Sequence, residues 1–282
     1  MNAGKSPLFL KALALSVSGI LGTVTAFIIV SGIEAVIGGQ GFSFFSSVWN
    51  PNAGHFGILP MIHASVLLAV SSLCVGWLLS LGCCCVMNGL APKYIADAMM
   101  MILTVMTAMP TVVYGFAAVF LLVPVIREAF GGSGFCWLSA GMILALQSVP
   151  TMTLVMDASV RSLSSQTRIT AETLGMTPAQ HLCRVVLPSS SKALLSSAIL
   201  GLGRCAGDAL LPVMLAGNAV RFASSPLDSM RTLTAHISLV LSSDIGGGEH
   251  LSLLLSGALL LAFCGTVSII SGSIIRRRKH EA

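Results

Sequence analysis

The chain has 282 residues, of which 55% are apolar and 9% charged, with a formal net charge of +5 and a mean hydropathy of +0.92. Soluble domains carry about 25% charged residues, so polar side chains are too few to cover a water-facing surface, and most of the surface must face lipid. The basic excess does not point to nucleic acid, because the charges sit in short loops between apolar runs rather than along one face.

A spanning helix needs about 20 mostly apolar residues, and six segments qualify. The first, Ala12 to Ile33, has the look of a signal peptide but is long for one and shows no convincing small-residue cleavage site, so it reads as a span. After it comes Gly38 to Gly57, rich in Gly, Phe and Ser. The second span runs from about Ile58 to Met87, the third from about Ala98 to Val123 with Pro110, and the fourth from about Leu138 to Met156 with Pro150. The fifth, from about Ala193 to Asn218, carries Arg204, Asp208 and Pro212, and the sixth is Leu251 to Ile275. Pro110 and Pro150 are expected to kink their spans, either opening space near a path or serving packing alone. Tyr114 and Trp137 read as gate aromatics or interfacial anchors. Between the fifth and sixth spans, Leu227 to Leu241 has the pattern of a short amphipathic helix. Gly246-Gly247-Gly248 is not followed by Gly-Lys-Ser/Thr and reads as a plain loop.

Lys and Arg set the orientation. With the N-terminus inside, Lys5, Lys11, Lys93, Arg161, Arg168, Arg184, Lys192, Arg276, Arg277, Arg278 and Lys279 are cytoplasmic. Only Arg127, Arg221 and Arg231 are external, and Arg204 lies in the membrane. Both termini are then cytoplasmic. The chain divides into an N-terminal span and external loop (1–57), a core of spans (58–275) and a basic tail (276–282). The eight cysteines contain no CxxC pair and read as small packing residues.

The segment from Asp157 to Lys192 is polar and basic between apolar runs. Ser164 and Ser165 are candidate N-caps for a short helix from about Gln166 to Leu174. Gly175 suits the left-handed position that ends it. Thr177-Pro178-Ala179-Gln180 reads as a second start: Thr177 the N-cap, Pro178 the first helical residue, Gln180 the reciprocal partner of a capping box. Leu182, Val185, Val186 and Leu187 follow, Pro188 ends the helix, and Ser189 to Ser191 can cap the fifth span. Such a helix-turn-helix can dock in a partner's groove and pass on rigid-body motion.

There is no GxxxxGK[ST] loop, HExxH or Gly-x-Ser-x-Gly elbow, and the six histidines lack ligand spacing. The chain reads as non-catalytic. Arg204 and Asp208 lie four residues apart, so they share one face of the fifth helix. Each costs about 2.5–3.5 kcal/mol at the centre of a span. Two readings stay open: a self-neutralising structural pair, or a path pair in which Arg204 attracts an oxyanion and Asp208 orients its guanidinium.

The spacing of Gly175, then Val185-Val-Leu187-Pro188 ten residues on, resembles the coupling loop of ABC-importer permeases. Phe44-Phe-Ser-Ser-Val-Trp49-Asn-Pro51, Met109-Pro110-Thr-Val-Val-Tyr114-Gly-Phe116, Gly201-Leu-Gly-Arg204-Cys-Ala-Gly-Asp208 and Met214-Leu-Ala-Gly-Asn218 are similar to phosphate ABC-transporter permeases of the PstC type. The resemblance covers most of the chain from about Phe44. Two positions depart from it: Ile169 stands where the coupling loop usually has Glu, and Asp208 where the family usually has Glu. The resemblance implies an all-α, multi-pass membrane protein of the type I ABC importer permease fold, with six spans and a coupling loop including Ala171, Glu172, Gly175, Leu187 and Pro188. It also implies a PstA-like second permease, two copies of a PstB-like ATP-binding subunit that hold ATP and Mg, and a periplasmic phosphate-binding protein. This chain itself would bind no cofactor. A permease for sulfate, molybdate or another small solute, and a secondary transporter, are the alternatives.

Overall fold

The computed structural model describes residues 6–37, 44–241 and 247–281, with side chains placed at 10–34, 44–241 and 247–270. Lys5, the stretch 38–43, Gly246 and the side chains of the Arg276 to Lys279 cluster fall outside the described residues. Two compact units are present: Met1–Leu59 with Leu239–Phe263, and Pro60–Ser238 with Cys264–Ala282.

In the first unit α1 (Ser6–Ile37) is a single helix. Its side chains are largely exposed over 10–34, with Gly32 buried. A Cβ on Gly32 would stand 2.5 Å from Ala258 Cβ, so two helix backbones approach closely through small residues, as apolar helices do in lipid. The Trp-Asn-Pro segment forms a two-residue hairpin, β1 (Trp49–Asn50) antiparallel to β2 (His55–Phe56). The Trp49 and Phe56 rings meet edge-on at 5.8 Å.

The second unit holds most of the helices. In order they are α2 (Leu59–Cys85) with a π turn (Val86–Leu90), α3 (Lys93–Ala108), α4 (Thr111–Phe130), α5 (Trp137–Thr173) and α6 (Pro178–His181). A second π turn (Leu182–Val186), α7 (Leu187–Ser189), α8 (Ser191–Gly207), α9 (Leu210–Leu215) and α10 (Leu233–Val240) follow, and α11 (Gly248–Glu281) belongs to the first unit up to Phe263 and to the second from Cys264. α2 buries Ala64, Leu68, Ser72, Gly76, Ser80 and Cys84, a mostly small stripe at four-residue spacing. A Cβ on Gly76 would stand 2.6 Å from Ser148 Oγ and 3.0 Å from Ala145 O, and Ser80 Oγ donates to Val149 O at 3.2 Å. Small residues and hydroxyls therefore bring α2 against α5, the packing expected where lipid removes the hydrophobic drive. Leu68, Tyr114, Leu144, Cys205, Leu211 and Leu215 form the main buried cluster.

Among the described residues five helices are long and apolar enough to cross a membrane, Leu10–Glu34, Leu59–Leu90, Thr111–Phe130, Trp137–Thr173 and Gly248–Ile270. A sixth is reached when Pro178–Ser189 and Ser191–Gly207, bent by 70°, count as one span.

Several expectations are corrected. The apolar run from Ala98 to Val123 is not one kinked span: α3 stops at Ala108, and α4 starts after Pro110. Met109 is extended (ψ 129), as the residue before a proline prefers. The expected helix from Gln166 to Leu174 is the end of α5, which runs unbroken to Thr173. Ser164 and Ser165 therefore cap nothing, and Ser165 Oγ donates back to Ser162 O at 2.8 Å. Pro188 does not end the coupling helix. It sits in the first turn of α7, where the absence of an N–H is tolerated, and the chain turns two residues later at Ser190. Ser190 occupies the N-cap of α8 without a side-chain cap bond. The amphipathic helix expected over Leu227 to Leu241 is shortened to α10, whose start is capped by Thr232 Oγ1 accepting from Ala235 N at 3.1 Å.

Candidate functional site

The fifth apolar run breaks at Asp208. α8 ends at Gly207, and Asp208 is extended (φ −72, ψ 127), so Arg204 and Asp208 do not share the face of one helix. Pro212 explains the break. It has no N–H for the carbonyl four residues back, and Thr234 Oγ1 donates to Asp208 O at 2.9 Å instead. The Asp208 carboxylate turns to the start of α9, its Oδ1 accepting from Leu211 N at 3.0 Å.

Gln147 joins the two charges. It lies on α5 and is 4% exposed. An amide looks nearly the same either way round, and its neighbours decide the orientation. In the orientation that satisfies both neighbours, its amide N donates to Asp208 Oδ2 at 3.2 Å and its O accepts from Arg204 Nη2 at 3.2 Å. The charge pair expected from sequence is thus a bridged triad. The signal for Gln147 was a lone amide inside an apolar run, a type of residue that in a span faces protein rather than lipid.

Arg204 lines a cavity of about 540 Å³ together with Thr151, Leu200, Gly203, Cys264 and Ser268. One guanidinium, two hydroxyls and the Cys264 thiol are set in a wall that Ile199, Leu200 and Val267 make largely apolar. Gln147 engages one Nη, and a guanidinium carries five N–H donors, so the fork keeps donors for an anion.

The coupling segment is capped as the sequence implied. Gly175 has φ +69. Gly175 N donates to Glu172 O and Met176 N to Ala171 O, both at 3.0 Å, the paired bonds of a Schellman ending. Thr177 Oγ1 accepts from Gln180 N at 3.3 Å, and Gln180 Oε1 accepts from Thr177 N at 3.0 Å, with Pro178 first in the helix. Ala171 is buried, Leu187 half-buried, and Glu172, Gly175 and Pro188 are exposed. Glu172 pairs with Arg168 at 2.7 Å, a surface contact of little energetic weight. Ile169 is 76% exposed. His181 Nε2 and Thr167 Oγ1 lie 2.7 Å apart, tying α6 to α5.

The remaining candidates fall elsewhere. Tyr114 is buried in the core rather than presented as an interfacial anchor, and its hydroxyl donates to Met106 O at 2.9 Å, bracing the break at Pro110. Pro150 is buried inside α5. Trp137 Nε1 donates to Ser71 Oγ at 2.8 Å.

After α9 the chain turns through two left-handed residues, Gly217 (φ 83) and Asn218 (φ 58). Asn218 Nδ2 donates to Val213 O at 2.7 Å, the local bond that lets Asn hold this conformation. Nearby, Asp228 accepts from Ser224 N and Ser225 N, each at 2.9 Å, which holds its carboxyl below the usual range.

Residues 86–281 match the family described as binding-protein-dependent transport system inner membrane component. The chain is 28% identical over 263 residues to the probable ABC transporter permease protein YqgH of Bacillus subtilis, covering 91% of this chain and 85% of that one. It is 26% identical over 296 residues to the phosphate transport system permease protein PstC of Xylella fastidiosa, covering 93% and 90%. The fold is similar to that in the crystal structure of a bacterial alginate ABC transporter bound to its periplasmic protein. There the TM-score is 0.58 at 14% identity over 95% of this chain and 96% of that one. The neighbour shares the type I importer permease fold, so the all-α, multi-pass expectation stands, with the small hairpin added.

Proposed function

We propose a phosphate path through a chain that belongs to the family of binding-protein-dependent transport system inner membrane components. As a permease subunit of an ABC importer it contributes a passage, and another subunit supplies the energy. The observation that carries the phosphate reading is Arg204 as the one charged side chain, among the described residues, on the wall of a largely apolar cavity, its guanidinium bridged from behind through Gln147 to Asp208. A planar fork suits a tetrahedral oxyanion because it can donate two parallel hydrogen bonds. The triad separates the roles: Asp208 supplies the opposite charge, Gln147 links it to the guanidinium and fixes the direction of the fork, and the remaining donors meet the substrate. PstC relatives in several bacteria support the same substrate.

In this reading a PstA-like permease completes the path. Two copies of a PstB-like subunit bind ATP and Mg, and a periplasmic phosphate-binding protein delivers the solute. The 11-to-3 distribution of basic residues in the loops supports cytoplasmic termini and a cytoplasmic Gly175 turn. That turn then docks on the ATPase, with Ala171, Glu172, Leu187 and Pro188 at its base. A sulfate or molybdate permease would use the same fork, and competition decides between them.

The test is phosphate uptake by proteoliposomes, normalised to assembled complex, with sulfate and molybdate as competitors. Arg204→Gln should assemble and lose uptake, because an amide has no charge to offset desolvation of the anion. Arg204→Lys should recover part of it, since a point charge replaces the fork. Full uptake in Arg204→Gln would reduce the triad to a structural bridge.

A further inference from the structure

Where α2 ends, its last turn widens into the π turn Val86–Leu90, and two neighbouring residues of that turn meet different partners. Asn88 Nδ2 donates to Asp157 Oδ1 on α5 at 2.7 Å and to Cys84 O at 2.9 Å. Asp157 is 4% exposed, and Arg161 Nε donates to the same Oδ1 at 2.9 Å and lies 2.8 Å from Oδ2. A buried carboxylate needs such partners, because an uncompensated one is strongly destabilising. Gly89 faces the coupling arm: a Cβ there would stand 2.9 Å from Leu182 Cδ2, 3.2 Å from Leu182 Cβ and 3.4 Å from Pro178 O. Leu182 opens the second π turn and is buried with Cys84, Met156, Val160 and Val186.

Two π turns therefore meet at one place. Such turns are rare, and those that occur are frequently at functional sites. Asn88 bonds to α5 and Gly89 packs closely against the Pro178–Ser189 arm, so the end of α2 touches both, beside the direct contacts that His181 and Leu182 make with α5. We propose that the π turn Val86–Leu90 is the junction that passes motion of the coupling arm to α2 and α5, with Asn88 and Asp157 as its positioning pair. The inference rests on the arm being the coupling element and is independent of which solute is carried.

The test uses the assembled complex in proteoliposomes, with the other seven cysteines of this chain replaced by Ala, so that Cys264 in the Arg204 cavity is the labelling site. In the parent, ATP with vanadate should change the rate of maleimide labelling at Cys264. Asn88→Asp sets two carboxylates together and should shrink that change by about tenfold, as expected for a lost hydrogen bond to a charged group, while ATP hydrolysis continues. Asn88→Asp combined with Asp157→Asn restores an amide–carboxylate pair in reverse and should recover the response to within about twofold of the parent. A merely structural role would lower assembly and hydrolysis together instead. If Asn88→Asp does not assemble, Asn88→Ala makes the same comparison with no added charge. An undiminished response in Asn88→Asp or Asn88→Ala, or a double variant no better than Asn88→Asp, overturns the junction. So does a parent whose labelling ignores ATP. A parent that responds to ATP but takes up no phosphate refutes the phosphate path and leaves the junction standing.

Discussion

Gln147→Met removes the bridge between Arg204 and Asp208 while nearly conserving side-chain volume. Both bridging bonds are 3.2 Å long, so each belongs at the weak end of the roughly 1.5–3 kcal/mol given by hydrogen bonds to charged groups. Arg204 is exposed in this chain, so water replaces the amide at that end and little is lost there. Asp208 is half-buried and keeps only its bond from Leu211 N, so its end of the bridge should cost about 1.5 kcal/mol. That is about a tenfold effect. Because the bridge orients the guanidinium, the loss should appear as a raised KM for phosphate rather than a lowered maximal rate, alongside a lowered thermal midpoint of the complex. Gln147→Glu should be worse for uptake, since a second carboxylate neutralises the fork that the anion needs. If Gln147→Met keeps both the parental KM and the parental midpoint, the triad has no role in holding Arg204.

Gly175 has open space around it, with nothing within 4 Å of a Cβ, so Gly175→Ala should cost only the left-handed backbone, about 1–2 kcal/mol. Faster hydrogen exchange at the Met176 amide and less uptake per ATP would report that cost, Gly175→Asn should recover part of it, and unchanged exchange in the Ala variant would refute the reasoning. Thr177→Val removes one half of the capping box and should loosen the start of α6 by about 1 kcal/mol, seen as faster proteolysis after Met176; equal cleavage rates would count against the cap. Burial, reinforced by the nearby Arg231 charge, depresses the His236 imidazole to about 4, below its ordinary value of about 6.5. The neutral ring's contribution is therefore complete above about pH 6.5 and falls by up to about 1.4 kcal/mol per unit as pH drops toward 4. The unfolding midpoint should fall across that window in the parent and stay flatter in His236→Phe, and identical profiles would sink the assignment.

Local chemistry was legible wherever two or more residues specified one geometry. Gly175 after a polar helical stretch and Thr177-Pro-Ala-Gln180 together encode a stop and a start, and both formed as read. Apolar runs announced the helices but not their breaks, because the apolar run continues through Met109-Pro110 and resumes directly after Asp208. The breaks follow from missing backbone donors. Pro110 and Pro212 each withdraw an N–H, and what receives the orphaned carbonyl is a tertiary fact. Thr234, which rescues Asp208 O, lies 26 residues away. Serine capping misled for the opposite reason: Ser164 and Ser165 have the right chemistry, but a hydroxyl inside a helix can bond back to its own turn. The Arg204 and Asp208 candidates were found by charge alone. Gln147 was missed because a single amide carries no periodicity.

The unbroken length of α5 has a mechanical consequence. Its 37 residues extend about 55 Å at 1.5 Å per residue, whereas a bilayer core is about 30 Å thick. The helix that carries Gln147 beside Arg204 thus also projects beyond the core as a stiff lever, ending at the Gly175 turn. Pro150, which removes one rung of its hydrogen-bond ladder, lies 23 residues from Thr173, an arm of about 35 Å. A rotation of about 5° at that pivot would sweep the tip through about 3 Å. Run in reverse, a displacement of a few ångströms at the tip arrives at Pro150, three residues from Gln147, as a change of angle with almost no translation. An amide that aims a guanidinium is sensitive to angle, so the leverage of α5 converts a large stroke at one end into a small re-aiming at the other.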